Sequence, residues 1–242
     1  MNCIILAAGL GSRLKKLTRN KPKAMIEVNG EILLDVQIKA AISLGIKKIY
    51  IIAGYKSDVI LNHVLNAYDK NVRVINNFDF SKTNSAFSWL LGSPYICNEP
   101  CLHFNCDILF SENAIQSLYE EFQKDKRSII ACRNDIILDD KMEQIVVDDN
   151  NIIRCCINKY NGQLSGKAFG MCLFAPKENK EHLKILINEI NNGHLEENFF
   201  KAIRVNCSNS VYKALWLNNE NLAEFNYTSD LEQNNIIRGS CI

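Results

Sequence analysis

The first thirty residues constrain this chain more than any other stretch. They open Met1-Asn2-Cys3-Ile4-Ile5-Leu6-Ala7-Ala8-Gly9-Leu10-Gly11-Ser12-Arg13 and reach Thr18-Arg19-Asn20-Lys21-Pro22-Lys23 after a short basic segment. An apolar, β-branched run that passes directly into small residues and two glycines reads as a buried strand ending in a loop of close approach. Glycines let main-chain N–H groups converge on an anion, and the positive end of a following helix adds to them. Arg13 and Lys23 bring two cations to the same neighbourhood, with no carboxylate between residues 1 and 26. Such a loop is built for phosphate.

Downstream, strand-like and helix-like segments alternate. Strands are expected at 3–7, 48–53, 72–75, 101–106 and 128–132. Apolar residues at 33, 34, 38, 41, 42 and 44 place a helix over 31–44 that stops at Gly45. Ser57, Asn84 or Ser85, and Ser111 are placed to cap helices reaching about 67, 91 and 122. This β-α-β-α rhythm predicts an α/β fold with a doubly wound, mostly parallel sheet. After Asp135 the rhythm changes. Residues 143–147 and 152–157 read as a hairpin around Asp148-Asp149-Asn150-Asn151, followed by a strand at 168–174. A helix begins at Pro176, another spans about 196–203, and a last strand lies near 212–217. No linker or repeat divides the chain, so residues 1–242 are expected to form one domain, with a core at 1–134 and a second lobe at 135–242.

The opening loop departs from two familiar phosphate loops. Gly9-Leu10-Gly11-Ser12-Arg13-Leu14 lacks the Gly-Lys-Ser/Thr end of a Walker loop. Leu14 stands where a dinucleotide fingerprint needs its third glycine. The run Leu6-Ala7-Ala8-Gly9-Leu10-Gly11-Ser12-Arg13, with Thr18 and then Pro22-Lys23, instead resembles the sugar-nucleotide and phosphocholine nucleotidyltransferase superfamily. Thr83-Asn84-Ser85-Ala86-Phe87-Ser88-Trp89-Leu90 is similar to a stretch of its phosphocholine and phosphonate cytidylyltransferase branch, and tilts the expected nucleotide toward CTP. Ala223-Glu224-Phe225-Asn226, with Asp230-Leu231 after it, resembles the superfamily's late motif.

The resemblance implies a Rossmann-like fold of the nucleotide-diphospho-sugar transferase type with a small acceptor-side β lobe. It implies transfer of CMP from CTP to a small phosphorylated or phosphonylated acceptor, with Mg²⁺ as cofactor. In that reading Leu6, Ala7, Ala8, Gly9, Gly11, Ser12 and Arg13 surround the triphosphate, and Lys23 bridges the α-phosphate and the acceptor. Asp107 and Asn226 hold the metal, with Arg13, Lys23 and Asp107 as the catalytic set. An amide at 226, where the motif often has a carboxylate, can ligate Mg²⁺ but supplies no charge. Asn84 and Ser88 offer hydrogen-bonding groups to the base or acceptor, and Lys159 matches a lysine that contacts the acceptor phosphate. Lys167 replaces a glutamate of the family's acceptor-side stretch. Phosphocholine, phosphoethanolamine, 2-aminoethylphosphonate and phosphoglutamine all suit the frame, with a product that decorates a surface polysaccharide or lipid. From spacing alone, Asp107 reads equally well as a turn cap and Asp230 as a helix cap. Trp89, Phe87, Tyr160 and Phe169 are either core residues or an aromatic wall for a quaternary ammonium. A sugar-1-phosphate transferase using dTTP, UTP or GTP, and a non-catalytic nucleotide-binding module, stand as alternatives.

Composition narrows the partners. A net charge of +1 from 28 basic and 27 acidic residues argues against a nucleic-acid surface. No apolar run approaches the roughly twenty residues of a membrane span, and the apolar start is consumed by the first strand, so a cytoplasmic location is expected. Ten scattered cysteines form no Cys-x-x-Cys pair and fall at no metal-finger spacing from the four histidines, which predicts reduced, mostly structural thiols. The chain leaves room for a homodimer.

Overall fold

The computed structural model describes residues 1–157 and 163–233. The N-terminal half runs β1 (Asn2–Ala7), β2 (Glu27–Val28), β3 (Glu31–Ile32), α1 (Leu33–Ser43), β4 (Ile49–Ala53), α2 (Ser57–Ala67), β5 (Val72–Asn76), α3 (Ser85–Ile96) and β6 (Cys101–Asn105). It continues with β7 (Ile108–Phe110), α4 (Glu112–Asp125), β8 (Ser128–Arg133), β9 (Gln144–Val147), β10 (Ile153–Ile157) and β11 (Gly166–Phe174). The chain closes with α5 (Pro176–Asn191), α6 (Phe200–Asn206), β12 (Tyr212–Trp216), β13 (Leu222–Glu224) and α7 (Thr228–Gln233).

The doubly wound, mostly parallel sheet expected from the β-α rhythm is present. β6, β1, β4 and β5 lie side by side and parallel, and β8 pairs parallel with β12. Helices cover both faces, because β1 is apolar from Cys3 onward and alternates its side chains. Cys3, Ile5 and Ala7 join the cluster under α1, while Ile4 and Leu6 join the cluster around Trp89. Antiparallel pairing surrounds β11, which joins the β9–β10 hairpin to the main sheet.

β11 also opens the sheet. It pairs with β8 from Lys167 to Leu173, but meets β9 at Gly166–Lys167 and β6 only from Met171 onward. The register shifts between Ala168 and Cys172. Two strands thus share one edge of β11, and the gap between them lies beside the end of β6.

Several boundaries differ from the sequence expectation for local reasons. Glu31 and Ile32 are strand, not helix, because Asn29 (φ 53°) and Gly30 (φ 85°) make a tight hairpin turn that pairs β3 with β2. α3 runs past Leu91 to Ile96 despite Pro94. Proline removes the amide that would reach the Leu90 carbonyl, and the Ser93 hydroxyl donates to that carbonyl instead at 2.8 Å. α6 begins at Phe200, leaving Glu196–Asn198 as loop. β7 and β13, unanticipated from sequence, pair as a two-stranded antiparallel sheet that brings the late motif beside Asp107. The nine described cysteines are free thiols, and all but Cys155 are buried.

Candidate active site

Register places the site. Ala7 pairs with Ala53, Leu6 with Asn105, and Ala53 with Asn76, so four parallel strands end at one level. The chain leaves them as Ala8, Gly54, Asn77 and Cys106-Asp107, at the carboxyl rim where ligands of open α/β sheets sit. Backbone bonds stitch the rim: Tyr55 N–H to the Ala8 carbonyl, Asn77 N–H to Ala53, and Cys106 N–H to Leu6. Gly54 permits this approach, because a Cβ there would meet Phe80 Cβ at 2.5 Å and the Ala8 carbonyl at 2.6 Å.

A cleft of about 570 Å³ lies over the rim. Leu6, Ala8, Gly9, Gly11, Ser12, Arg13, Lys23, Asn84, Ser88, Asp107 and Asn226 all line it. Ala7 does not, because its side chain belongs to the buried core cluster. Lys159 lies outside the described residues, as does Tyr160. Gly11 adopts φ +63°, and its carbonyl accepts the Thr18 hydroxyl at 2.8 Å, which gives the threonine of the opening motif its purpose. The segment after the loop, Ser12–Leu17, is a 3₁₀ helix rather than an α-helix. Its dipole is correspondingly short, so the positive charge at the loop rests mainly on Arg13 and Lys23.

Charge is concentrated where β6 and β13 meet. Lys23 Nζ donates to Asp107 Oδ2 at 2.7 Å and to Asn226 Oδ1 at 3.3 Å. Arg13 Nη2 donates to the same Asn226 oxygen at 2.7 Å, with its guanidinium 5.4 Å from the centre of the Tyr227 ring. Burial opposes the Lys23 charge most strongly, but the Asp107 carboxylate beside it outweighs that cost and lifts the lysine above its ordinary value. Asn226 Nδ2 donates to Glu224 Oε2 at 2.8 Å, and that carboxylate also pairs with Lys167. The amide is thereby turned with its oxygen toward Arg13 and Lys23. Asp230 accepts the Asn226 and Tyr227 N–H groups at 2.7 Å each, the backward half of a capping box at the start of α7.

These groups fit a divalent cation in part. Asp107 Oδ1 is buried with no hydrogen-bond partner, and Asn226 Oδ1 converges on the same lysine as Asp107 Oδ2. Among the described residues there is no cluster of three His, Cys, Asp or Glu that could hold a metal unaided. Such a donor set suits a magnesium ion that takes its remaining ligands from phosphates and water.

The α3 residues contribute differently from expectation. Asn84 caps α3, accepting the Ser85 N–H at 2.8 Å while its Nδ2 donates to the Glu196 carbonyl at 3.1 Å. It therefore ties the helix start to the loop before α6. Ser88 is buried and receives Asn77 Nδ2 at 3.1 Å. Asn77, Phe80 and Asn105 join the cleft without having been anticipated. The available signal was position, since Asn77 and Asn105 stand at the ends of β5 and β6 just as Asp107 does.

A second cavity, of about 290 Å³, adjoins the first and shares Arg13, Asn84, Asn105, Asp107 and Asn226 with it. Its far wall is the segment leading into β9, with Glu143, and the opened part of β11, with Lys167 and Gly170. Gly170 touches Asn105 so closely that a Cβ would fall 2.3 Å from the amide carbon. Gly170→Ala is expected to cost about 1–3 kcal/mol through overpacking, read as a lower denaturation midpoint. An unchanged midpoint would mean that Asn105 yields freely.

A phosphate-directed loop, two cations and a half-buried carboxylate paired with one of them, at the carboxyl rim of this sheet, define an α/β domain of nucleotidyltransferase type. The chain belongs to the MobA-like NTP transferase domain family, whose model matches residues 3–177. It is 38% identical over 111 residues to a CTP:phosphoglutamine cytidylyltransferase of Campylobacter jejuni, covering 46% of this chain and 42% of that protein. It is 30% identical over 155 residues to a choline-phosphate cytidylyltransferase of Streptococcus pneumoniae, covering 61% of this chain and 64% of that one. Both matches span less than two thirds of the relative's length. The solved CTP:phosphocholine cytidylyltransferase of Streptococcus pneumoniae superposes with a TM-score of 0.77 at 21% identity, over 98% of this chain and 99% of that one, and so shares the fold. Among the described residues, no helix is long and apolar enough to cross a membrane.

Proposed function

We propose that this protein is a Mg²⁺-dependent cytidylyltransferase that moves CMP from CTP to a small phosphorylated or phosphonylated acceptor and releases pyrophosphate. The observation that carries the reading is the contact of Lys23 with both Asp107 and Asn226, at the junction of the loop cleft and the second cavity. One cavity serves the nucleotide and the other the acceptor, with Asp107 and Asn226, the groups that hold Lys23, lining both. The cytidylyltransferases among the relatives favour CTP.

In this mechanism the acceptor's phosphate oxygen attacks the α-phosphorus in line, opposite the departing pyrophosphate. The acceptor is already an anion near neutral pH, so positioning and charge neutralisation supply most of the rate. The Ala8–Arg13 backbone cradles the triphosphate, Arg13 leaves Asn226 to follow the pyrophosphate, and Lys23 turns from Asp107 to the α-phosphate. Asp107 and Asn226 hold the magnesium ion, which supplies charge neutralisation at the phosphates when bound. Asn84 and Ser88 shape the base side, and Lys159 serves the acceptor phosphate. Residues 1–134 act as the nucleotide side and 135–242 as the acceptor side of one unit. The protein works in the cytoplasm, as a monomer or a homodimer, and its product serves a surface polysaccharide or lipid.

Pyrophosphate release measured with Mg²⁺, each of the four common NTPs and a panel of phosphorylated acceptors tests this. Release with CTP and one small phosphate or phosphonate is expected. Release with UTP or dTTP and a sugar 1-phosphate would replace the reading with the sugar-nucleotide one. CTP binding without release from any acceptor would favour a non-catalytic module.

A further inference from the structure

We propose that the acceptor's head group carries no net positive charge and is held by hydrogen bonds, and that Lys167 sets this preference. The inference rests on the reading of the second cavity as the acceptor side. A cationic head needs an unpaired carboxylate or an uncovered aromatic face to replace its water, and among the described residues lining this cavity both are already taken.

The buried and half-buried carboxylates are each committed. Glu143 accepts Arg204 Nη1 at 2.8 Å and Asn198 Nδ2 at 2.9 Å. Glu224 holds Lys167 together with the Asn226 amide. Asp107 holds Lys23. Asp139 remains at the exposed rim, accepting the Lys141 N–H, where water screens it.

The rings are committed as well. Of the two rings among the described residues that line the cavity, Tyr227 lies under the Arg13 guanidinium; Phe169, whose ring centre Lys167 Nζ approaches at 4.3 Å, belongs to the buried core. Trp89 is fully buried against Phe199 and faces no cavity. Among the described residues lining this cavity, Phe200 is the ring with no protein cation over it, and it is 5% exposed. One edge of one ring makes no cage.

Lys167 neutralises Glu224, the carboxylate beside Asn226 that would otherwise face the cavity. Its own charge is spent internally, so it is not a free cation awaiting an acid group on the acceptor. The remaining polar lining is Lys141 at the exposed rim and the amide and hydroxyl groups of Asn84, Ser85, Asn105 and Asn198. That set matches a neutral or zwitterionic head and discriminates by hydrogen-bond geometry.

Calorimetry with the full chain, with and without an unreactive CTP analogue, can rank glycerol 3-phosphate, phosphoserine and phosphocholine. Glycerol 3-phosphate or phosphoserine is expected to bind at least tenfold more tightly than phosphocholine. Lys167→Met removes the ammonium from Glu224 while keeping the side-chain volume, and should improve phosphocholine binding about tenfold. Adding Glu224→Gln should abolish that gain. Phosphocholine binding as tightly as the other two in the unaltered protein would overturn the proposal, as would no gain in a folded Lys167→Met protein. If that variant does not fold, the ranking in the unaltered protein decides. The ranking holding while CTP and these acceptors release no pyrophosphate would sink the cytidylyltransferase reading and leave the head-group preference standing.

Discussion

Lys23→Ala is expected to lower kcat by about 10²–10³-fold while changing CTP affinity by less than about tenfold. Lys23 is buried and positioned by Asp107 and Asn226, not by the loop that would carry the triphosphate. Its ammonium therefore contributes most where charge develops between the two cavities. Glycine-loop amides and Arg13 remain to bind the ground-state nucleotide. The lysine stays charged through the neutral range because its folded pKa is raised. The sign follows: the pair's contribution to stability is complete below the lysine's unfolded value and is lost as pH rises through the folded one. A neutral-pH activity profile should not report it. Removing the lysine also leaves Asp107 a half-buried, uncompensated carboxylate, at a cost below the roughly 3–5 kcal/mol of a fully buried pair. Denaturant unfolding should be measured beside the kinetics, with Lys23→Arg as the charge-preserving comparison. Equal losses in kcat and in CTP affinity would assign Lys23 to simple binding.

Acidification from pH 7 to 5 should destabilise the protein by about 4 kcal/mol through two histidines alone. His103 and His182 are completely buried in an aromatic cluster, where His103 stacks on Phe199 at 4.3 Å and His182 receives or donates a hydrogen bond at Tyr212 over 2.7 Å. Burial lowers the His103 value to about 4, the Asn105 hydrogen bond opposing it only partly. Burial, with His103 nearby, lowers His182 to about 3. Both rings are neutral in the folded chain throughout this window, while the unfolded chain takes up protons below about 6.5. Stability is therefore full above that value and drains as pH falls toward the folded values. Against a typical total of about 5–15 kcal/mol the loss is large, and for a chain of this size it amounts to roughly 8–16 °C in Tm. Calorimetry across pH 5–7 on the parent and on His103→Gln/His182→Gln should show a flatter curve in the variant. An unchanged slope would place the acid sensitivity elsewhere.

The sheet was readable because its rule is short-range. The central strands are mostly apolar runs bounded by a helix cap or turn residue, and the residue after each run had to stand at the carboxyl rim. By that logic Gly9, Gly54 and Asp107, which follow the runs of β1, β4 and β6, stand at one rim. The same logic kept Trp89 open between core and ligand wall, and packing decided for core. Local chemistry hid other features. Pro94 argues for a helix end until the Ser93 hydroxyl is seen on the Leu90 carbonyl. β7 and β13 are three residues each, too short for periodicity, and exist because they pair across more than a hundred residues.

The opening loop, the order of strands and helices and the identity of the charged groups are properties of local pattern, and pattern suffices for them. Partnership is a property of long-range packing. Lys167 reads in sequence as a reversed charge at an acceptor-side position, yet β11 sets it against Glu224, which β13 delivers from 57 residues away. Asn226 reads as a weakened metal ligand, yet Glu224, Arg13 and Lys23 decide which way its amide faces. The second cavity has no linear trace, because it opens where β11 changes neighbours between β9 and β6. Charges on distant segments neutralise one another only when folding removes the water between them, and that removal depends on contacts no stretch of sequence contains.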